Sequence, residues 1–442
     1  MSALIIYISW VSGLMLSTLR WPAVAVGGVL CANGLFQWAQ ASIAMLAAHP
    51  MISNYLVGIS LVLALLVMIF QQKPIMQGYP AAGWLSLMLL TYCLLSTLWS
   101  VAPELTWVAF TERGLYMFVT VIMCPLLISN SNDAKVAMTA LVTFGAVLVL
   151  SLLLTGGFSG RSLQAIDPMY GSALNPLGLA SMGMYVAVAA TLMNFRGVSR
   201  LLQLLRWGVV AASLMLVMYT QSRGQFLAGF LMLVAFLPFS RQIRNKWGFL
   251  GAMFGLIFLM GISYWLVSTF GQARRWELDA MVGNFYETRI EPAHTVLSYW
   301  LNSNPIHWFL GLGSSACFSP RVLGMYPHVV SAEVLAELGL IGFGIFASLI
   351  FVSLRSTFRL AKLIRHDPVQ RGVLAAISAL FWLNFVLSFK QGSLLQSLDL
   401  FLFAIVLGRY DTAIRSEYAH RPQPQAELHQ PARVIEIQPI RS

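Results

Sequence analysis

The sequence predicts an all-α polytopic membrane protein of about 12 transmembrane helices with one large structured outer loop, and three observations carry that prediction. First, 58% of the 442 residues are hydrophobic and only 10% are charged, against ~25% charged in a soluble domain. So few charges cannot cover a chain of this size in water, and most of its outer surface must meet lipid. Second, apolar runs recur along the chain at lengths near the roughly 20 residues that a spanning helix needs. Third, one connection, 271–327, interrupts the pattern with about 57 residues, where compact connections usually have ~4–6.

The apolar runs, limited by charged or Pro/Gly-rich breaks, occupy 52–70, 81–98, 110–128, 136–154, 173–193, 204–219, 225–239, 247–270, 334–354, 373–389 and 394–407. Upstream, 4–19 and 21–36 are separated by Arg20 alone and read as two short spans, or as one span plus a re-entrant piece. Lipid requires each spanning segment to satisfy its own backbone, which helices do, and the alternation of a barrel strand is absent. The membrane domain thus covers 1–408, with 271–327 inserted as a cap whose aromatic content suits packing, and 294–303 reads as a helix within that cap. Residues 409–442, rich in Pro and Gln, read as a disordered cytoplasmic tail. The first apolar run lacks a basic leader, so no cleavable signal peptide is expected. Four cysteines, Cys31, Cys93, Cys124 and Cys317, are too few for a disulfide framework.

The net charge of +11 raises the question of an anionic partner such as nucleic acid. Its distribution answers it. Thirteen basic residues between Lys73 and Arg371 fall in alternate short connections, accompanied only by Asp133 and Asp367, which places those connections on the cytoplasmic side. The opposite side holds 8 basic and 10 acidic residues. The basicity therefore records membrane orientation, and no nucleic-acid partner is implied.

Three groups on the outer side carry charges that orientation does not explain. Thr220-Gln221-Ser222-Arg223-Gly224 joins two spans, where an arginine must snorkel, pair or hold an anion. In the cap, Arg289 lies between Glu287 and Glu291 and either pairs at the surface or contacts a ligand. Tyr326-Pro327-His328 leads into a span that carries Glu333 and Glu337. An imidazole at that helix start is either a hydrogen-bonded cap residue or a neutral base favoured by the positive helix end. The two carboxyls near the end of a span are costly unless they bind something. Arg161 and Lys390 complete the outer basic set. No HExxH, Walker loop or CxxC pattern is present, so neither a metal nor a cofactor is expected.

These residues, in this order, resemble the O-antigen ligase and polymerase superfamily of bacterial envelope glycan transferases. The matching pieces are Thr220, Ser222-Arg223-Gly224, then Arg289, Trp300, Pro305 and Gly311/Gly313, then His328 nine residues before Glu337-Leu338-Gly339-Leu340-Ile341-Gly342. Val329 departs from the family, which often has asparagine after the histidine. The resemblance implies a metal-independent transfer at the periplasmic face of the bacterial inner membrane. The donor would be an undecaprenyl-diphosphate-linked glycan and the acceptor a lipid A–core sugar for a ligase, or another lipid-linked glycan for a polymerase; membrane lipids surround both. In this reading His328, Arg289 and Arg223 are catalytic, while Arg161, Trp300, Glu333, Glu337 and Lys390 bind substrate. A single large outer loop favours the ligase. The competing class is a polysaccharide or lipid transporter, which would use the same arginines as an anion path.

Overall fold

The computed structural model describes residues 2–49, 51–75, 78–155, 158–159, 162–163, 174–195, 197, 199–243, 245–270, 289–390 and 392–419. They form a bundle of helices, with a two-residue hairpin pairing Phe158–Ser159 with Ser162–Leu163. The helices are α1 Ser2–Arg20, α2 Val24–Ser42, α3 Met51–Phe70, α4 Ala81–Leu95, α5 Pro103–Met117, α6 Ser131–Thr155, α7 Pro176–Leu192, α8 Arg200–Tyr219, α9 Arg223–Arg241 and α10 Lys246–Phe270. The cap contributes α11 Glu291–Leu301 and α12 Pro305–Leu310, followed by α13 Val330–Leu363, α14 Pro368–Leu387 and α15 Leu398–Ala419. The cap helix expected at 294–303 is present as α11, started by Glu291 and Pro292, an acid and a proline suited to a first turn.

Eight of the described helices are long and apolar enough to cross a membrane. That is fewer than the twelve expected, for identifiable reasons. The run at 110–128 is part of a bent unit in which Pro103–Glu112 and Gly114–Leu126 meet at 61°, a broken span or a re-entrant loop. A six-residue π-helical stretch, Phe118–Met123, lies within it. Helix α7 has 17 residues and is buried along nearly its whole length, so it belongs to the bundle interior. Helix α15 carries Arg409, Asp411, Arg415 and Glu417. At the N-terminus α1 and α2 are separate helices; α1 is one of the eight and α2, which packs along α6, is not.

The surface agrees with a lipid environment. On α10, Trp247, Leu250, Phe254, Ile257, Phe258 and Trp265 are all exposed while Leu256 is buried, which in water would be an aggregating face. The core is formed by α2, α7, α14 and α15, where Trp38, Phe381, Phe401, Phe403 and Tyr410 are fully enclosed.

One boundary differs from the sequence reading. Residues 409–419, expected in the tail, belong to α15, and Arg409 is buried. Its guanidinium donates to the carbonyls of Ile128 (2.7 Å), Ile75 (3.1 Å) and Leu126 (3.5 Å). Glu417 accepts from the Ser131 backbone N–H (2.8 Å) and hydroxyl (2.7 Å) and so caps α6, satisfying donors that a helix start leaves open. Residues 420–442 lie outside the described residues. Arg409→Ala is expected to lower stability by about 1.5–3 kcal/mol, the range for losing hydrogen bonds to a charged group. Thermal unfolding in detergent checks this, with the more exposed Arg415→Ala as the control expected to be near neutral.

Candidate functional site

The site is organised by a break in α13. Gly339 has φ 64° and ψ −166°, which stops the helical hydrogen-bond ladder at the preceding turn. The carbonyls of Ala336 and Glu337 instead accept from the N–H groups of Leu312 (2.9 Å) and Gly313 (2.8 Å). The Gly-Leu-Gly loop after α12 therefore docks on the broken helix as a short backbone ladder. Gly311 and Gly339 both have positive φ, and a Cβ on either would sit within 2.1–2.3 Å of the facing backbone. The two glycine motifs are thus two sides of one backbone junction.

Carboxylate and hydroxyl groups fasten this junction. Both Glu337 oxygens accept backbone N–H groups, from Ser315 (2.7 Å) and Cys317 (2.9 Å). Glu337, read from the sequence as substrate-binding, thus spends both oxygens on the cap loop. The Ser314 carbonyl accepts from Ser100 Oγ (2.8 Å) and Thr106 Oγ1 (2.6 Å), and its N–H donates to Ser96 Oγ (2.8 Å). Tyr92 OH donates to the Leu310 carbonyl (3.0 Å). None of these hydroxyl residues stood out in the sequence, although a cluster of Ser and Thr at 96–100 ends an apolar run. Trp300, also assigned to substrate, is 7% exposed, donates its indole N–H to the His307 carbonyl (2.9 Å), and packs with Val296, Leu312, Cys317 and Val322 in a small core of its own. It holds the cap together.

His328 sits at the start of α13 with φ 61°, a left-handed conformation that non-glycine residues seldom adopt. Its ring lies edge-on to Tyr326 with centroids 4.2 Å apart. The next turn is pinned by a hydrogen bond from Val330 N–H to the Ser388 carbonyl (2.8 Å) at the end of α14. Burial, and secondarily the positive charge of Arg289, lower the His328 pKa from 6.5 to about 4, so the imidazole is neutral at ordinary pH. Burial also lowers the pKa of Arg289, partly opposed by Tyr326. Arg289, Tyr326 and His328 therefore form one cluster.

Arg223 begins α9, after a turn in which Gln221 has φ 52°. A cation at a helix N-terminus opposes the helix dipole, an arrangement that an anion would reverse. Lys390 lies against this turn, its side chain filling the space a Cβ on Gly224 would take. Lys390 follows Ser388 by two residues, so Arg223, Lys390 and His328 are linked through Ser388 and Val330 at one end of the bundle.

Glu333 is held through one of its two oxygens. One oxygen accepts from Leu394 N–H (3.1 Å), while Oε2 is buried without a hydrogen-bond partner. It lines a cavity of about 180 Å³ with Glu112, Glu337, Ser315, Ser393 and Gln396. Among the described residues, no group of three or more His, Cys, Asp or Glu is arranged to hold a metal ion. Arg161 and Glu287 lie outside the described residues.

No family model matches the chain, and no curated protein does. Glu337→Gln presents an NH2 group to one of two backbone donors. It is expected to destabilise the protein by about 1–3 kcal/mol, read as a lowered unfolding temperature, and to expose Cys317, buried in the parent, to a maleimide probe. Unchanged stability and labelling would remove Glu337 from this fastening role.

Proposed function

We propose that the chain is a membrane-embedded glycosyltransferase of the O-antigen ligase type. It moves a glycan from undecaprenyl diphosphate to a lipid A–core sugar at the periplasmic face of the inner membrane. The observation that carries this reading is the pairing of a neutral histidine with three cations at one end of the bundle. Arg289 acts on His328 electrostatically, and Arg223 and Lys390 meet at a helix N-terminus. The order of the matching motifs along the chain supports the same family.

The chemistry follows from the charges. The acceptor hydroxyl attacks the anomeric carbon of the donor, a C–O bond forms, and the bond from that carbon to the diphosphate oxygen breaks. The leaving diphosphate gathers negative charge, which fixed guanidinium and ammonium groups stabilise without reorganisation. The hydroxyl proton passes to an imidazole nitrogen of His328. Arg289 links the two events. In the free protein its charge helps hold the His328 pKa down. A diphosphate bound to Arg289 cancels that charge and raises the basicity of His328 when the donor is in place.

Reconstitution with a polyprenyl-diphosphate glycan and lipid A–core should give glycosylated core. Longer lipid-linked chains without core modification would identify a polymerase, and glycan moved across the vesicle with no new glycosidic bond would identify a transporter. His328→Ala is expected to lower transfer by about 10²–10⁴-fold, and Arg223→Ala by about 10²–10³-fold, with unfolding temperatures retained.

The pH dependence has a definite sign. A histidine whose pKa lies below 6.5 is already neutral above about 4, so the base form is present through the neutral range and is lost as pH falls through that value. The profile of kcat/KM, which reports the free enzyme, should stay flat from pH 8 to 5 and fall only near 4. A break near 6.5 would show that burial and Arg289 do not act on the base.

A further inference from the structure

A second polar space has among its walls Tyr326, the ring that packs against His328. It is a cavity of about 220 Å³ between α2, α7, α14 and the start of α15. Asn33, Asn175, Tyr185, Asn384, Asp399 and Tyr326 are among its walls. Polar groups inside a membrane bundle are costly, so such a lining calls for a ligand.

The hydrogen-bond inventory says what kind. Tyr185 OH lies 2.6 Å from Asn384 Oδ1 and 2.8 Å from Asp399 Oδ2, and one proton cannot serve both. Asn384 spends an N–H on the Leu380 carbonyl (2.8 Å), which fixes its amide with the oxygen toward Tyr185. Asp399 makes no ion pair among the described residues. The Asn33 oxygen accepts from Gln37 (2.9 Å) and the Asn175 oxygen from Leu177 N–H (3.0 Å), which leaves their NH2 groups as donors. Acceptors on α14 and α15 thus share one cavity with donors from α2 and the start of α7, and with tyrosine rings. A phosphate would meet the Asp399 carboxylate with no cation to balance it. A metal ion would find one carboxylate and amide N–H groups. A pyranose offers hydroxyls that both accept and donate, together with C–H faces for the rings.

We infer that this cavity holds the acceptor sugar, an assignment that rests on the glycan-transfer reading and extends it. Tyr326 is the common wall. A sugar ring behind it can present one hydroxyl past its edge to His328, while the cations near Gly224 take the diphosphate. Asp399, Asn384 and Asn33 then set acceptor specificity.

The test separates the two substrates. With purified protein in liposomes, initial rates are measured against lipid A–core at saturating polyprenyl-diphosphate glycan, and then the reverse. Asp399→Asn on α15 and Asn33→Ala on α2 should each raise the KM for lipid A–core, Asp399→Asn by about 10–100-fold, with the donor KM unchanged. A rise in the donor KM, or a fall in kcat and unfolding temperature with both KM values unchanged, would overturn the assignment while leaving glycan transfer intact. Absence of any glycosidic product from the parent protein would overturn the transfer reading and this assignment with it. Should Asp399→Asn fail to fold, Asn33→Ala decides by the same split.

Discussion

The ladder between the Gly311–Gly313 loop and the carbonyls freed by the break at Gly339 is the constraint on which the working end depends. A helix interior leaves no backbone acceptor for another segment, so a loop can dock by main-chain hydrogen bonds only where the helix is interrupted. Gly339 provides the interruption, and the glycines of the loop allow backbones to approach closer than any Cβ permits. Once Leu312 and Gly313 are seated, Glu337 reaches Ser315 and Cys317, and Ser96, Ser100 and Thr106 tie Ser314 to the end of α4 and the start of α5. The described part of the cap, from Arg289 on, is thereby tied to the bundle. Tyr326 and His328 leave it in a defined direction, and Val330 is closed onto Ser388.

This tie has electrostatic consequences. His328 is held where burial and Arg289 keep it neutral, and Lys390, two residues beyond Ser388, is held against the Arg223 turn. Three cations near a neutral imidazole are a good arrangement for an anion with a nucleophile beside it. In the proposed mechanism the donor brings its negative charge to these groups, and the base strengthens as the substrate arrives.

The sequence made some parts of this legible and concealed others. Arg223, Arg289 and His328 stood out because ionisable groups in an apolar chain need a reason, and hydropathy shows that directly. The residues Glu337, Gly311, Gly313 and Gly339 were also conspicuous, but their use was not. A carboxylate near a span end reads as a ligand group, whereas Glu337 binds backbone N–H groups some 20 residues upstream, a pairing set by tertiary closure. Trp300 was assigned to sugar and spends its indole on the His307 carbonyl. Asp399, Tyr185 and Asn384 escaped notice because the tyrosine lies about 200 residues from the other two and only the folded chain brings the three together. The helical reach of α15 past Arg409 was hidden for the same reason: its justification is three carbonyls on distant segments.

Coupling between anion binding and the ionisation of His328, on which the proposed mechanism turns, can be read by histidine NMR of the purified protein. With 13C-labelled histidine, the His328 signal is identified by its loss in His328→Ala and titrated with and without a short-chain polyprenyl diphosphate. The account predicts an imidazole that titrates near pH 4 in the free protein and moves upward, toward 6.5, when the diphosphate is bound, with no movement in Arg289→Ala. An imidazole that titrates near 6.5 from the start, or that is indifferent to the diphosphate, would contradict it.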